Sequence, residues 1–338
     1  MKAVGYTQSL PVSDPNALAD FTAERPSPGP RDLLVAVRAV SVNPVDTKVR
    51  MRARPAAGEP PKILGYDAAG VVEAVGSSVT LFKPGDEVFY AGSIARPGTN
   101  SEFHLVDERI VGRKPKSLSF ARAAALPLTS ITAWEMLFDR FGVAPGKTPD
   151  GRVLLVIGGA GGVGSMMILL AKKLTALTVI ATASRAETRD WCVKLGADHV
   201  IDHKKPLAGQ LKAIGHPQVA LIAGISGTDT SFPQVPDIIA PFGKFALIDD
   251  PKAIDIGPLK RKAASVHWES MFTRAIFETP DMIGQHKLLN EVSAMIDGGL
   301  LVTTAAQELS PINAANLRKA HAQIESGTTI GKVVLAGW

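Results

Sequence analysis

Hydrophobic residues along this chain follow two different periods. Up to about residue 125 they come in short β-branched runs, among them LLVAVRAVSV (33–42), GVVEAVG (70–76) and DEVFYAG (86–92). Turn sequences such as PSPGPRD and FKPGDE separate them. Such runs, bounded by proline and glycine, predict strands. From Val153 apolar strands alternate with helix-period segments: VLLVIGG, SMMILLAKKL, TVIATA, AETRDWCVKLGA and HVID. The alternation continues through PLAGQLKAIG, VALIAGI, a helix around Val235 to Pro241 and KFALID. Strands separated by helices predict crossover units and a doubly wound parallel sheet.

After about residue 265 the alternation loosens into helices at 280–297 and 311–326 and a last apolar strand, KVVLAG (332–337). That strand is like those of the first segment, so the chain is expected to return to its first domain. The expected division is a β-rich domain of residues 1–125 with 266–338 and an α/β domain of residues 126–265.

Composition changes this picture little. A chain of 338 residues suits two domains, and 46% hydrophobic with 20% charged residues is ordinary for a globular protein. One cysteine, Cys192, excludes an intrachain disulfide and a four-cysteine zinc site. The start, MKAVGYTQSLPVSD, lacks a signal-peptide pattern, and no apolar run is long enough to span a bilayer. A cytoplasmic protein with no membrane partner is expected. The net charge of +5 comes from scattered Lys and Arg, so no nucleic-acid partner is expected either.

The strongest motif follows the strand VLLVI. GGAGGVG (158–164) contains Gly159, Ala160, Gly161, Gly162, Val163 and Gly164, a GxGxxG that opens a helix within a βαβ unit. In that context the motif reads as dinucleotide binding. Gly159 would allow the tight turn, Gly161 a close pyrophosphate, and Gly164 close packing of helix on strand. The plain alternative is an ordinary glycine-rich turn. An NAD site expects an acid about 20 residues further on, gripping the ribose 2′-hydroxyl. Here the strand tip reads TASRAETR, with Ser184, Arg185 and, one turn on, Arg189. A hydroxyl and a guanidinium suit a 2′-phosphate, which favours NADPH over NADH. Alternatively Arg185 merely begins a solvated helix.

KILGYDAAGVVEAVG (62–76) is a second glycine-rich stretch, but it lacks the lysine of a phosphate loop. Its glycines read as close-packing points in a β domain.

Taken in order, NPVD, GYDAAGVVEAVG, KPGDEV, LPLTSITAWEML, GGAGGVGS and LGADHVID resemble the medium-chain dehydrogenase/reductase superfamily across essentially the whole chain. The similarity is greatest to zinc-free quinone oxidoreductase-like members, including those called zinc-type alcohol dehydrogenase-like. The resemblance implies a Rossmann domain beside a GroES-like partial barrel, and a homodimer formed near ASVHWESM (264–271). It also exposes departures. Zinc alcohol dehydrogenases carry a cysteine where this chain has Asn43, and Gly-His-Glu where it has Gly65-Tyr66-Asp67. His199 and His203 straddle a strand end and form no ligand motif, so no metal is expected.

Without a Lewis acid, hydride addition to a conjugated acceptor is easier than alcohol oxidation, because the charge spreads to a distant oxygen. The resemblance puts Asn43 and Tyr66 where metal ligands converge in relatives, to polarise that oxygen, with Asp46 as the orienting acid. Tyr66 could instead pack against a domain interface, and Asn43 could cap the Pro44 turn. Thr129 matches a position beside the nicotinamide, or caps its helix. Ile225, Ile248 and Asp249 should edge the cofactor cleft at the strand ends. Phe272 and Lys332 are further cofactor candidates by alignment. Arg50, Arg52 and Arg54 form a basic loop, solvated or attractive to an anionic substrate. The expected function is reduction of quinones or α,β-unsaturated carbonyls, small-molecule substrates, by NADPH. The alternatives are a carbonyl, alcohol or enoyl-thioester oxidoreductase, and a non-catalytic NADPH-binding sensor.

Overall fold

A computed structural model describes residues 1–56, 58–149 and 151–338. The backbone divides into two units, Met1–Ile131 with Phe272–Trp338, and Thr132–Met271.

The first unit is built around one strand, Asp32–Val42, of 11 residues. All but Asp32 and Arg38 are buried, as expected of a strand covered on both faces. It pairs antiparallel with Ala68–Val75, Phe103–Asp107 and Lys332–Ala336 in a 7-stranded sheet. Val35, Val37 and Val40 pack there with Tyr90, Val106, Leu317 and Val333. Two registers matter for function. Val42 faces Val333 and Val40 faces Ala68, so Asn43, Asp67 and Lys332 come to neighbouring strand ends. The glycines of the 62–76 stretch do mark close packing: a Cβ on Gly70 would lie 2.3 Å from the Ala36 carbonyl oxygen.

The second unit is a 6-stranded parallel sheet in the order His199–Ile201, Thr178–Thr182, Val153–Ile157, Val219–Gly224, Ile239–Leu247, Ser265–Trp268. Helices Gly162–Leu174, Ala186–Lys194 and Leu207–Ala213 connect its strands. Every residue of Val153–Ile157 is buried, which is why that strand reads as an unbroken apolar run.

The boundaries differ from those expected at 126 and 265. Pro127–Ile131 stays with the first unit, where the Leu128 amide donates to Asp67 Oδ1 at 2.8 Å. Ser265–Trp268 is the last strand of the parallel sheet, so the return to the first unit comes after Met271. The helix expected to reach Pro241 ends at Ile238, because Ile239 already begins a strand. Among the described residues no helix is long and apolar enough to cross a membrane.

Candidate active site

A buried polar cluster forms in the first unit where its strands end. Helix Pro44–Arg52 begins as soon as the long strand stops, with Asn43 as its N-cap in extended conformation and proline at the first position. Asp46, one turn into the helix, accepts the Asn43 amide at 2.7 Å through Oδ2 and the Gly65 amide at 2.9 Å through Oδ1. It thus ties the helix start to the turn that carries Tyr66 and Asp67. Burial, and to a smaller extent the charge of Asp67, push its carboxyl up to about 7 against the pull of those amides and of Lys332.

Asp67 lies at the centre. Its Oδ2 accepts Ser41 Oγ at 2.8 Å, Asn43 Nδ2 at 2.7 Å and Lys332 Nζ at 3.1 Å. Lys332 also donates to the Val42 carbonyl at 3.0 Å and to Asn43 Oδ1. Burial holds the Lys332 ammonium below the usual lysine value, and Asp67 opposes that shift. With all three donors used inside this cluster, Lys332 has none left for a cofactor phosphate. Its donors thus serve the Val42 carbonyl, Asn43 and Asp67, and its place among the cofactor residues stays an expectation.

Tyr66 is buried and its hydroxyl has no hydrogen-bond partner among the described residues. Burial first, then the negative charge of Asp46, raise its pKa well above the ordinary phenol value. Phe272, likewise buried, meets its ring edge-on. Thr129, in the first turn of helix Pro127–Trp134, donates its hydroxyl back to the Leu126 carbonyl at 3.1 Å, a back-bond rather than the cap expected as the alternative.

In the second unit the glycine loop divides its tasks differently from the sequence reading. Gly158, with φ +91°, makes the tight turn. A Cβ on Gly159 would meet Ala181 Cβ at 2.8 Å, and one on Gly164 would meet the Gly158 oxygen at 2.2 Å. Both are therefore required by packing inside the protein. Gly161 is not, since its Cβ would come no closer than 3.9 Å to any protein atom. Open space there, at the start of helix Gly162–Leu174, suits a close-lying anion. Ala160 is buried beside it, and Gly162 and Val163 are half-buried in the first helical turn.

Ser184 and Arg185 follow strand Thr178–Thr182, with Arg185 Nε 3.1 Å from Glu187 Oε1, and Arg189 is exposed on the next helix. Ile225 and Ile248 stand at the ends of the neighbouring strands, half-buried. Asp249 is engaged by Thr228, whose amide and hydroxyl donate to it at 2.9 and 2.5 Å. It fixes a loop at the sheet's edge rather than presenting a free carboxylate.

Arg50 corrects the basic-loop expectation. It is fully buried and bonded to Glu325, whereas Arg52 and Arg54 are exposed. Cys192 is buried, with its thiol pushed up to about 11 by burial, and faces the glycine loop rather than a metal. Sequence reasoning missed Ser41 and the central role of Asp67. The available signal was an acid directly before the apolar run AAGVV, where an unpaired charge could not be buried.

Residues 29–119 match the family model of the alcohol dehydrogenase GroES-like domain, and residues 162–279 that of the zinc-binding dehydrogenase. The chain is 41% identical over 337 residues to the zinc-type alcohol dehydrogenase-like protein SAR2277 of Staphylococcus aureus (strain MRSA252), with 99% of each covered. Its structure is similar to that of a Rhizobium etli CFN 42 protein described provisionally as a zinc-dependent alcohol dehydrogenase, at 58% identity and TM-score 0.96, over 100% of this chain and 98% of that one. The quinone oxidoreductase of Pseudomonas syringae pv. Tomato DC3000 is similar at 28% identity and TM-score 0.83, with 99% of each covered. With both family models matched in order and full-length relatives on either side, the chain belongs to the medium-chain dehydrogenase/reductase superfamily of oxidoreductases, in its quinone oxidoreductase-like branch.

Proposed function

We propose that this oxidoreductase reduces quinones or α,β-unsaturated carbonyls with NADPH and without zinc. The observation that carries the reading is the Lys332 ammonium, buried against Asn43 and Asp67. Zinc, which the family name implies, does not fit these donors. Asp67 already accepts four hydrogen bonds, and a divalent ion would stand beside a like charge. Among the described residues no group of three or more His, Cys, Asp or Glu could hold a metal ion.

The chemistry left to such a site is addition to a conjugated acceptor, whose developing oxyanion needs only hydrogen-bond donors. Tyr66 offers an O–H that nothing else uses, and a bound carbonyl would relieve the cost of burying it unpaired. Asn43 keeps one N–H beyond its bond to Asp67. Asp46 orients Asn43 through its backbone, and water supplies the final proton.

The bound nicotinamide would supply the hydride. The amides around Gly161, Gly162 and Val163 would hold the pyrophosphate, with Ile225 and Ile248 at the rim. Ser184, Arg185 and Arg189 would take a 2′-phosphate, and no acid stands at the strand tip to prefer a free 2′-hydroxyl. Ser265–Trp268 has a strand partner on one side only, an edge suited to pairing with a second copy.

The test follows NADPH absorbance with a panel of quinones, enones, enals, aldehydes and acyl thioesters, before and after dialysis against a chelator. Turnover of the conjugated acceptors, unchanged by chelation, is expected. Ethanol oxidation that chelation abolishes would overturn the reading.

A further inference from the structure

An amide side chain can turn over by half a rotation with almost no change of shape, so something must fix which end is which. For Asn43 the two ends meet opposite partners. Its Oδ1 accepts from the Lys332 ammonium, and its Nδ2 donates to Asp67 Oδ2 at 2.7 Å. Turned over, the amide would set NH₂ against NH₃⁺ and carbonyl against carboxylate, two repulsive contacts in a buried site.

The rest of the network is closed. Lys332 spends its remaining donors on Val42 at 3.0 Å and on Asp67 at 3.1 Å. Asp67 is filled by Ser41, Asn43, Lys332 and the Leu128 amide. One hydrogen of the cluster stays unassigned, the second on Asn43 Nδ2.

We infer that Lys332 is a positioning residue for the reduction: it locks the Asn43 amide so that this second hydrogen is kept for the acceptor's oxygen. The inference rests on the quinone- and enone-reductase reading. Donation into Oδ1 also polarises the amide and makes its N–H the stronger donor. The fold supplies the lock through register, since Val333 opposite Val42 puts Lys332 beside Asn43 although 289 residues separate them.

The test compares Lys332→Met with the double variant Lys332→Met/Asp67→Asn. The single variant leaves Asp67 charged, buried and unpaired, and is expected to be both unstable and slow. The double variant has no unpaired charge, so its thermal midpoint should return towards that of the natural protein. Its kcat should stay about 10–100-fold low, with a smaller change in KM for the acceptor and an unchanged NADPH Kd by fluorescence titration. Recovery of kcat in the double variant would overturn the inference, because Lys332 would then only neutralise Asp67.

A second measurement needs no variant beyond assignment. In the ¹⁵N-labelled protein with NADP⁺ bound, the two Asn43 side-chain protons should differ. One should be protected from exchange, and the other should shift when an unreactive enone analogue binds. Two protons that exchange equally fast and do not respond to the analogue would also overturn it. If the natural protein turns over no conjugated acceptor, the function reading fails, yet protection of one Asn43 proton and not the other still reports the lock.

Discussion

The ring of Tyr66 meets that of Phe272 edge-on, with centroids 5.4 Å apart and 73° between the planes, while the Tyr66 hydroxyl is buried without a partner among the described residues. Stability and function therefore pull in opposite directions at this residue. Removing an orphaned hydroxyl takes away a cost, so Tyr66→Phe should gain about 1 kcal/mol of stability in urea unfolding. The same change removes the free donor, and kcat for an enone should drop about 100-fold. A Tyr66→Phe variant with normal turnover would end the assignment of the phenol as the carbonyl's donor.

Asp46 predicts a pH dependence of stability. Its carboxyl rises from the ordinary 3.8 to about 7 in the folded chain, chiefly by burial. The folded state thus holds a proton that the unfolded state releases, which stabilises the fold at low pH. That contribution is complete below the unfolded value and fades as pH rises through about 7. Between pH 5 and pH 8 the natural protein should lose about 3 kcal/mol relative to Asp46→Asn, measured as the difference of urea unfolding curves. A constant difference across that range would mean Asp46 is ionised throughout.

How far these features were legible in the sequence depends on distance along the chain. The glycine loop and its helix are local, so strand, turn and helix could be read from GGAGGVG directly. Even there, the turn belongs to Gly158 and not Gly159, because which glycine takes positive φ is set by packing against Ala181 and Cys192. The Asn43–Asp67–Lys332 cluster is the opposite case. Its members meet through strand register, Asn43 with Asp67 across 24 residues and Lys332 with Asn43 across 289, and no periodicity encodes register. Arg50 followed the same logic, since a partner as remote as Glu325 turned a basic-loop residue into a buried one.

The glycine loop gives a paired prediction. Gly161 has φ −73°, a conformation any residue adopts, and space for a Cβ. Gly161→Ala should leave thermal stability within error yet weaken NADPH, because the methyl group points where a pyrophosphate would lie. Gly164→Ala puts a Cβ 2.2 Å from the Gly158 oxygen and should lose about 1–3 kcal/mol of stability. Equal NADPH affinity for Gly161→Ala and the natural protein, by titration calorimetry, would move the cofactor elsewhere.

Arg185 tests the choice of dinucleotide. Its guanidinium is held by Glu187 at 3.1 Å and is about one-third exposed, so it is oriented yet reachable. A hydrogen bond to a charged group is worth about 1.5–3 kcal/mol, so Arg185→Ala should raise the NADPH Kd about 10–100-fold. NADH has no 2′-phosphate and its Kd should not move. Parallel losses for both cofactors would place Arg185 in the general fold of the loop rather than in phosphate recognition.

The second unit carries its own buried acid, away from the glycine loop in sequence. Glu269 follows the edge strand Ser265–Trp268, is buried beside Glu135, and accepts Arg140 Nε at 2.8 Å. Burial first, and then the neighbouring carboxyl of Glu135, raise its pKa far above the ordinary glutamate value, with Arg140 opposing. Its proton is therefore a stabilising ligand of the folded state, whose contribution is complete below the ordinary glutamate value of 4.5 and falls away as pH rises from there into the alkaline range. Glu269→Gln keeps the shape and the polarity of the protonated acid but cannot ionise. The variant should match the natural protein near pH 4, where the acid is protonated folded and unfolded alike, and exceed its thermal midpoint by a margin that widens from pH 5 into the alkaline range, on the scale of about 4 °C per kcal/mol for a chain segment of this size. Differential scanning at stepped pH reads this directly, and curves that stay parallel would show that Arg140 keeps Glu269 ionised.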